Sequence, residues 1–556
     1  MRRALIQLVI IGSVFVSAFA DAAPKKAAAS AGGSWSRQYD KPTAYSWNYD
    51  LKVLPDGGFV TVGNLADSAA SGCWKLMARR TDALGKAIWE KTFAGECLNA
   101  MAGSSGHAVS YTSDGGVIIA GTRNSSNLAA KRYTWEELWV LKLSSSGQLQ
   151  WEKRFGQQWA STAKRGHGYG VVEAVGGGYL VSGVGHPDSG DAWVFKLDPA
   201  GNKLWELILP GYQSTEEHQR MVPIIQLTDG SIVTTHPVTR KMSTITRITM
   251  LRSDGTVMRS MQFGGRETQV FDLLAVKSGG FVVAGTAKPF LNNNDATFTG
   301  FLVAFDNEGK WLWDREYPAD KETGFSSVRQ AADNGLIISG RFGNDLLLLR
   351  TDEQGKPRWS KALGGGKGFQ KGYAAVQTSD GGFAVAGARQ QGKNILAWLV
   401  KLDKDGRGAG LPGIKDVMLI GNPHLVSDIW PAKQGCQGSP SDVRSIRSYG
   451  NPDLQFTLQR PYRLEQIATL LAWPPTGNIT FRIMHAETKQ VLQAGTLVKG
   501  SCADQTWCEG SAVISKRVEP GTYIVRYDDS AAICLANENA FATRLSGIPL
   551  DPLERL

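Results

Sequence analysis

Five of the seven histidines, His107, His167, His186, His218 and His236, fall in the longer, irregular segments between residues 100 and 240. Glu216, Glu217, Arg220, Asp188 and Asp191 stand near them. Imidazoles and carboxylates gathered on one face can ligate a divalent metal, or serve as an acid and base that take a proton from an acidic sugar. The plainer reading is solvated loop histidines bonded to nearby backbone, because their offsets to neighbouring glycine turns vary and no HxH or HxxxH pair occurs. The segment from Lys131 to Glu137 adds Tyr133 and Trp135 beside two cations. Sugars stack on such ring faces and acidic groups pair with such cations, whereas a Trp135 packed on a sheet edge is the structural alternative. The chain has no Gly-x-Ser-x-Gly elbow, phosphate loop, zinc-protease helix or Cys/His nucleophile pattern, so no residue is assigned as catalytic. No cofactor is expected, a divalent metal being the one these residues could hold.

The elements that must carry these side chains are repeats. A Gly-rich turn followed by a β-branched or aromatic run recurs at Asp56, Asp114, Gly176, Asp229, Ser278, Asp333 and Asp380, at intervals of 47 to 62 residues. Each unit reads as two apolar strands joined by a tight turn, the second strand often ending in Ala-Gly or Ser-Gly. A third strand and a second turn follow, as in Asp82 to Gly85 with Trp89, Asp198 to Gly201 with Trp205, Asp306 to Gly309 with Trp313, and Asp352 to Gly355 with Trp359. Unit two keeps Gly147 and Trp151 with Ser144 for the Asp. Four strands at this period specify an all-β propeller, since radial closure protects sheet edges that a stack would leave open.

Closure is legible as well. The seventh unit ends near Gly408 without a Trp-bearing fourth strand, while Trp35 to Tyr39 resembles Trp89 to Phe93 and Trp151 to Phe155. The expected fold is therefore a seven-bladed β-propeller closed by an N-terminal strand. The recurring Trp residues are expected to pack between blades. Arg80 with Asp82, Lys196 with Asp198, Arg350 with Asp352 and Lys401 with Asp403 read as a structural charge pattern along one strand face. The short Asp-Gly turns should share one face of the propeller and the long segments the other.

With its Gly-x-x-x-Trp spacing, the repeat over residues 35 to 410 resembles the quinoprotein-like propellers, which include pyrroloquinoline quinone dehydrogenases and an outer-membrane assembly scaffold. The chain departs from the dehydrogenases in having seven repeats rather than eight, and in lacking a vicinal Cys pair and a recognisable quinone and calcium set. What the resemblance implies is thus the fold and a scaffold role, not the cofactor.

Composition and termini complete the reading. Of 556 residues, 42% are hydrophobic and 20% charged, enough for more than one core. Arg2 and Arg3, the apolar run to Ala20 and small residues at Ala18, Ala20 and Ala22 have the layout of a secretory signal, so residues 1 to 22 are expected to be removed on export to the periplasm or beyond. No later segment is apolar enough to span a bilayer. Residues 23 to 34 read as a linker, 35 to 410 as the propeller, 411 to 448 as a connector and 449 to 556 as a β-sandwich. In the last, Pro520 to Val525 resembles a late strand of jelly-roll modules. Six cysteines without a CxxC pair suit disulfides in an oxidising compartment, expected as Cys73 to Cys97, Cys502 to Cys508 and Cys436 to Cys534, although the last four permit three pairings. The formal charge of +10, outside the cytoplasm, favours acidic polysaccharide or an anionic surface over nucleic acid as partner. The expected function is an exported binding or scaffold protein whose loop-rich face engages a cell-surface polymer or protein; the alternative is a metal-assisted polysaccharide lyase or other sugar-active enzyme.

Overall fold

A computed structural model describes residues 33–408 except 69–72, 96–102, 128–131, 157–165, 186–190, 211–221, 241–242, 264–267, 288–297, 320 and 365–367. Beyond these it describes 413–417, 419, 429–431, 454–458, 462–472, 479–485, 487–502, 507–519, 521–527, 532–533, 535–537, 540–541 and 543–549. The described elements are all strands, and none is a helix long and apolar enough to cross a membrane.

From residue 35 to 402 the strands form repeated four-stranded antiparallel sheets, an arrangement of the β-propeller kind. Sheets one to six contain the strands within 45–94, 105–155, 167–209, 224–263, 268–317 and 323–363, each in sequence order. Sheet seven takes three strands from 370–402 and its fourth from Trp35–Gln38, where Trp35 faces Lys401 and Gln38 faces Trp398. The first strand of each sheet touches that of the next, and the first strand of sheet seven touches that of sheet one. Apolar side chains between successive sheets form the core, as where Val60, Val62 and Leu76 of sheet one meet Val109, Ile119 and Leu141 of sheet two.

The local reason for each sheet lies in its turns. In the first turn the Asp side chain accepts from the backbone N–H two residues on, at 2.9 Å from Asp56 to Gly58 and 2.9 Å from Asp114 to Gly116, while the glycine between holds a positive φ of 81° in both. The same Asp receives the cation near the end of the third strand. Arg80 meets Asp56 at 2.7 Å, Lys142 meets Asp114 at 2.8 Å, Lys401 meets Asp380 at 2.7 Å, and Arg350 pairs with Asp333. These pairings correct the expected charge pattern for Arg80, Arg350 and Lys401. Antiparallel pairing sets Arg80 opposite Val60 and Lys401 opposite Ala384, beside the first turn, and the Asp two residues further along instead accepts from its own turn backbone, as Asp82 does from Leu84 and Lys86.

The Trp series packs between sheets, each indole lying over the glycine of the next sheet's second turn. A Cβ added to Gly147 would come within 2.7 Å of Trp89, and one added to Gly355 within 2.8 Å of Trp313. Trp151 covers Gly201, Trp205 covers Gly255 and Trp359 covers Gly406 in the same way. Sheet four has no Trp there, and Met250 and Met261 cover Gly309 instead.

Past residue 408, Ile414–Asp416 pairs with the outer strand of sheet six and Ile429–Pro431 with that of sheet four. The C-terminal strands form an antiparallel arrangement in which Tyr462–Ala472 pairs with both Trp507–Val518 and Thr543–Pro549, while Gly521–Tyr527 lies between Leu454–Leu458 and Ile479–His485. Phe481, Ile483, Leu497, Tyr523 and Val525 are buried there.

Candidate aromatic and histidine site

Six first strands share an irregularity that decides where side chains point. Their ladders shift register once, between Asn48 and Asp50, Gly106 and Ala108, Gly168 and Gly170, Val270 and Asp272, Phe325 and Ser327, and Gly372 and Ala374. The extra residue is Tyr49, His107, Tyr169, Phe271, Ser326 or Tyr373, always seven residues before the start of its first turn. A bulge frees one side chain from the alternation of the ladder and re-aims it. Tyr49 is accordingly half-buried between Asn48 and Asp50, which are 0% and 8% exposed.

Seven residues after the turn start stands the glycine that makes room for each bulge. A Cβ at Gly63, Gly121, Gly183, Gly285, Gly340 or Gly387 would lie between 1.7 and 2.1 Å from a first-strand carbonyl oxygen. The Ala-Gly and Ser-Gly endings of the second strands thus have a steric cause. In sheet four the corresponding residue is His236, and its first strand, Ile224–Gln226, pairs without a register shift. His236, expected beyond the second strand, therefore lies inside it, 1% exposed, where burial and then the charge of Arg247 hold its pKa down at about 3.

The bulged rings meet one another. Tyr49 and Tyr373 pack edge to face with centroids 5.1 Å apart, Tyr49 lies 5.5 Å from His107, and His107 lies 5.1 Å from Tyr169, which stacks on His167 at 5.6 Å. The Lys371 ammonium stands 4.7 Å from the Tyr373 ring centre and 5.8 Å from that of Phe271. Sheets one, two, three, five and seven thereby contribute to one tier of rings.

A polar chain runs along one side of this tier. His107 Nε2 is 3.3 Å from the Thr122 hydroxyl, that hydroxyl is 2.8 Å from His167 Nδ1, and His167 Nε2 is 3.3 Å from the Glu136 carboxylate. With neutral imidazoles one direction satisfies every contact: His107 Nε2–H donates to Thr122, Thr122 O–H donates to His167 Nδ1, and His167 Nε2–H faces Glu136. His107 stays neutral because burial pushes its pKa down to about 3.

Toward the turns the space between the first strands is occupied by ions. Arg329 of sheet six pairs with Asp272 of sheet five and reaches Asp50 of sheet one at 3.5 Å, and Lys52 meets Asp50 at 2.8 Å. Both carboxylates also accept backbone N–H bonds of 2.9 Å from the next sheet, Asp50 from Val109 and Asp272 from Val328. Burial raises the pKa of Asp272, with Arg329 opposing, and lowers that of Lys52, with Asp50 opposing. The ring tier is thus closed on one side by a set of mutually satisfied charges.

Of the expected site residues, the structure brings His107 and His167 together on first strands rather than in loops, and sets His236 apart in a core. His186, His218, Glu217 and Arg220 lie outside the described residues, as do the side chains of Tyr133 and Trp135, whose backbones belong to Arg132–Leu143 opposite Ser126 and Ser125. Among the described residues no three His, Cys, Asp or Glu side chains gather as metal ligands. The reading by spacing missed Tyr49, Tyr169, Phe271, Tyr373, Lys371 and the Asp50–Arg329–Asp272 set. The constant offset of seven residues before the turn was the available signal.

Cys73 is disulfide-bonded. Cys97, Cys436 and Cys534 lie outside the described residues, while the backbones of Cys502 and Cys508 stand directly opposite each other across two strands.

No protein-family model and no curated protein matches the chain. Among solved structures it is similar to Drosophila Plexin A in complex with Semaphorin 1b, at 7% identity over 66% of this chain and 86% of that one, with a TM-score of 0.39. It is also similar to the polysaccharide lyase Uly1, at 10% identity over 65% and 90% with a TM-score of 0.39. For prolyl oligopeptidase B from Galerina marginata the values are 11% identity, 79%, 55% and 0.35. At such levels no activity passes from these proteins to this chain.

Proposed function

We propose that the chain is an exported, periplasmic or secreted binding or scaffold protein, built as a closed seven-bladed propeller of the quinoprotein-like kind followed by a jelly-roll-like sandwich, and that its loop-rich face engages a cell-surface polymer or protein. Closure is supported by the pairing of Trp35–Gln38 with the last sheet and by the contact between the first strands of sheets seven and one. Disulfides Cys73 to Cys97 and Cys502 to Cys508 belong to this reading. The observation that carries the binding function is the tier of bulged rings, with the Asp50–Arg329–Asp272 charges on its turn side. Such a recess holds a ligand without supplying strong chemistry: an imidazole whose pKa lies at about 3 is a poor general base near neutrality. That weighs against proton abstraction by His107 and leaves the lyase alternative to residues elsewhere.

The test is titration of the purified mature protein against isolated cell envelopes and acidic glycans, with product analysis. Saturable association without new unsaturated sugar ends is expected, and single substitutions of His107 or His167 should not abolish it. Glycan cleavage lost in His107→Ala would sink the reading.

A further inference from the structure

Lys371 is a half-buried cation set against rings. Its ammonium stands over two ring faces and makes no ion pair or hydrogen bond among the described residues. Carboxylates nearby are engaged elsewhere: Glu322 pairs with Arg341, and Asp272 and Asp50 are held by Arg329. Burial, with the charge of Arg341 behind it and that of Glu322 opposing, pulls the Lys371 pKa down to about 8.

The surroundings narrow the class of anion. Lys371 lies nine residues before its turn, at the level of Trp47, His167 and Gln269, two residues further from the turns than the tier of rings. Among the described residues, the first strands at these two levels offer rings and small polar residues such as Ser105 and Ser326, while Val222, just before the first strand of sheet four, is buried in a core. A peptide anchor wants an aliphatic pocket, whereas the C–H face of a sugar stacks on rings and its hydroxyls bond to hydroxyl and amide groups. The Asp50–Arg329–Asp272 charges lie on the turn side of the tier, so a ligand approaching from the other side meets it end-on.

We propose that Lys371 binds the acidic group of a sugar at the end or on a side branch of a glycan chain, with the sugar ring stacked against Tyr49. This deepens the proposed function and rests on it.

The experiment uses the full mature protein, titrated calorimetrically with a galacturonate oligomer, its methyl ester and a sulfated oligosaccharide. The acid, as carboxylate or sulfate, should bind at least ~10-fold more tightly than the ester, the worth of one charge-assisted bond. Lys371→Met should remove that preference and spare the weaker ester binding, while Tyr49→Ala weakens both. An unchanged thermal transition in Lys371→Met shows that the fold is intact. Equal affinity for acid and ester, or an acid preference that survives Lys371→Met, overturns the assignment, as does a lack of binding by both anionic probes. If envelopes still bind saturably while Lys371→Met has no effect on any probe, or a peptide competes instead, the site is wrong and the binding function stands. If neither envelopes nor probes bind, the binding function itself fails.

Discussion

The indole of Trp35 covers Gly85, so closely that a Cβ on the glycine would lie 2.6 Å from the Cη2 and Cζ3 atoms. Trp35 comes from the N-terminal strand paired to sheet seven and Gly85 from sheet one, a contact that joins the two ends of the repeat. Trp35 is also buried with Leu51, Phe59 and Leu399. Trp35→Ala is expected to destabilise the protein by about 3–5 kcal/mol in chemical denaturation, the usual cost of emptying a large buried aromatic site. A loss below ~1 kcal/mol would mean that the strand decorates the sheets without latching them.

Arg329 of sheet six bridges Asp272 and Asp50, and Lys52 meets Asp50 as well. Its removal leaves partly buried carboxylates facing each other, so Arg329→Met should cost about 3–5 kcal/mol. Adding Asp272→Asn removes one of those charges and should recover part of the loss. Urea unfolding of the two variants decides it: a double variant no more stable than the single one rules out charge repulsion as the cause.

Acid should unfold the protein partly through its histidines. His236 and His107 have pKa values near 3 in the folded state against an ordinary 6.5. Between those values the unfolded chain binds protons that the folded chain refuses, so stability is undiminished above pH 6.5, falls as pH drops toward about 3, and then levels off. The slope from the fully buried His236 is at most ~1.4 kcal/mol per pH unit. His236→Gln should flatten this limb in denaturation series at several pH values, and an unchanged slope would count against it.

Peptide mapping without reductant should recover Cys73 linked to Cys97 and Cys502 linked to Cys508. Facing backbone positions suit the second pair, and the first closes a loop whose cross-link is worth about 3 kcal/mol in the chain-entropy picture. A free thiol at any of these four positions in the purified, oxidised protein refutes the pairing.

How much of this was legible from residues alone depends on where backbone conformation leaves a mark. The turns were legible because Gly57, Gly115 and Gly381 need positive φ, and the N-terminal strand because Trp35 repeats the register of Trp89. The rings were not, because strand alternation assigns Tyr49 and Tyr169 to a ladder face and a bulge overrides that alternation. His107 and His167 looked like loop residues because their offsets from the turn, seven and nine, differ; the bulge explains both, one residue in it and one before it. His236 was misplaced for the converse reason, standing where the other sheets have glycine.

That exchange of glycine for histidine points to a test of the bulge itself. Gly121 has ordinary backbone geometry, yet a Cβ there would lie 2.0 Å from the Ser105 carbonyl oxygen and 3.0 Å from Gly106 Cα. Backbone cannot yield as a side-chain tip can, so Gly121→Ala must push the first strand of sheet two away or straighten it. Straightening returns His107 to the ladder and takes its ring from Tyr49, Tyr169 and the Thr122 hydroxyl. The expected cost is about 1–3 kcal/mol, the range for overpacking a tight site, together with a rise of the His107 pKa toward its ordinary value as burial is lost. Histidine NMR titration reads that rise directly. If the variant loses stability while His107 still titrates near 3, the strand has moved as a unit and glycine at this position serves packing alone.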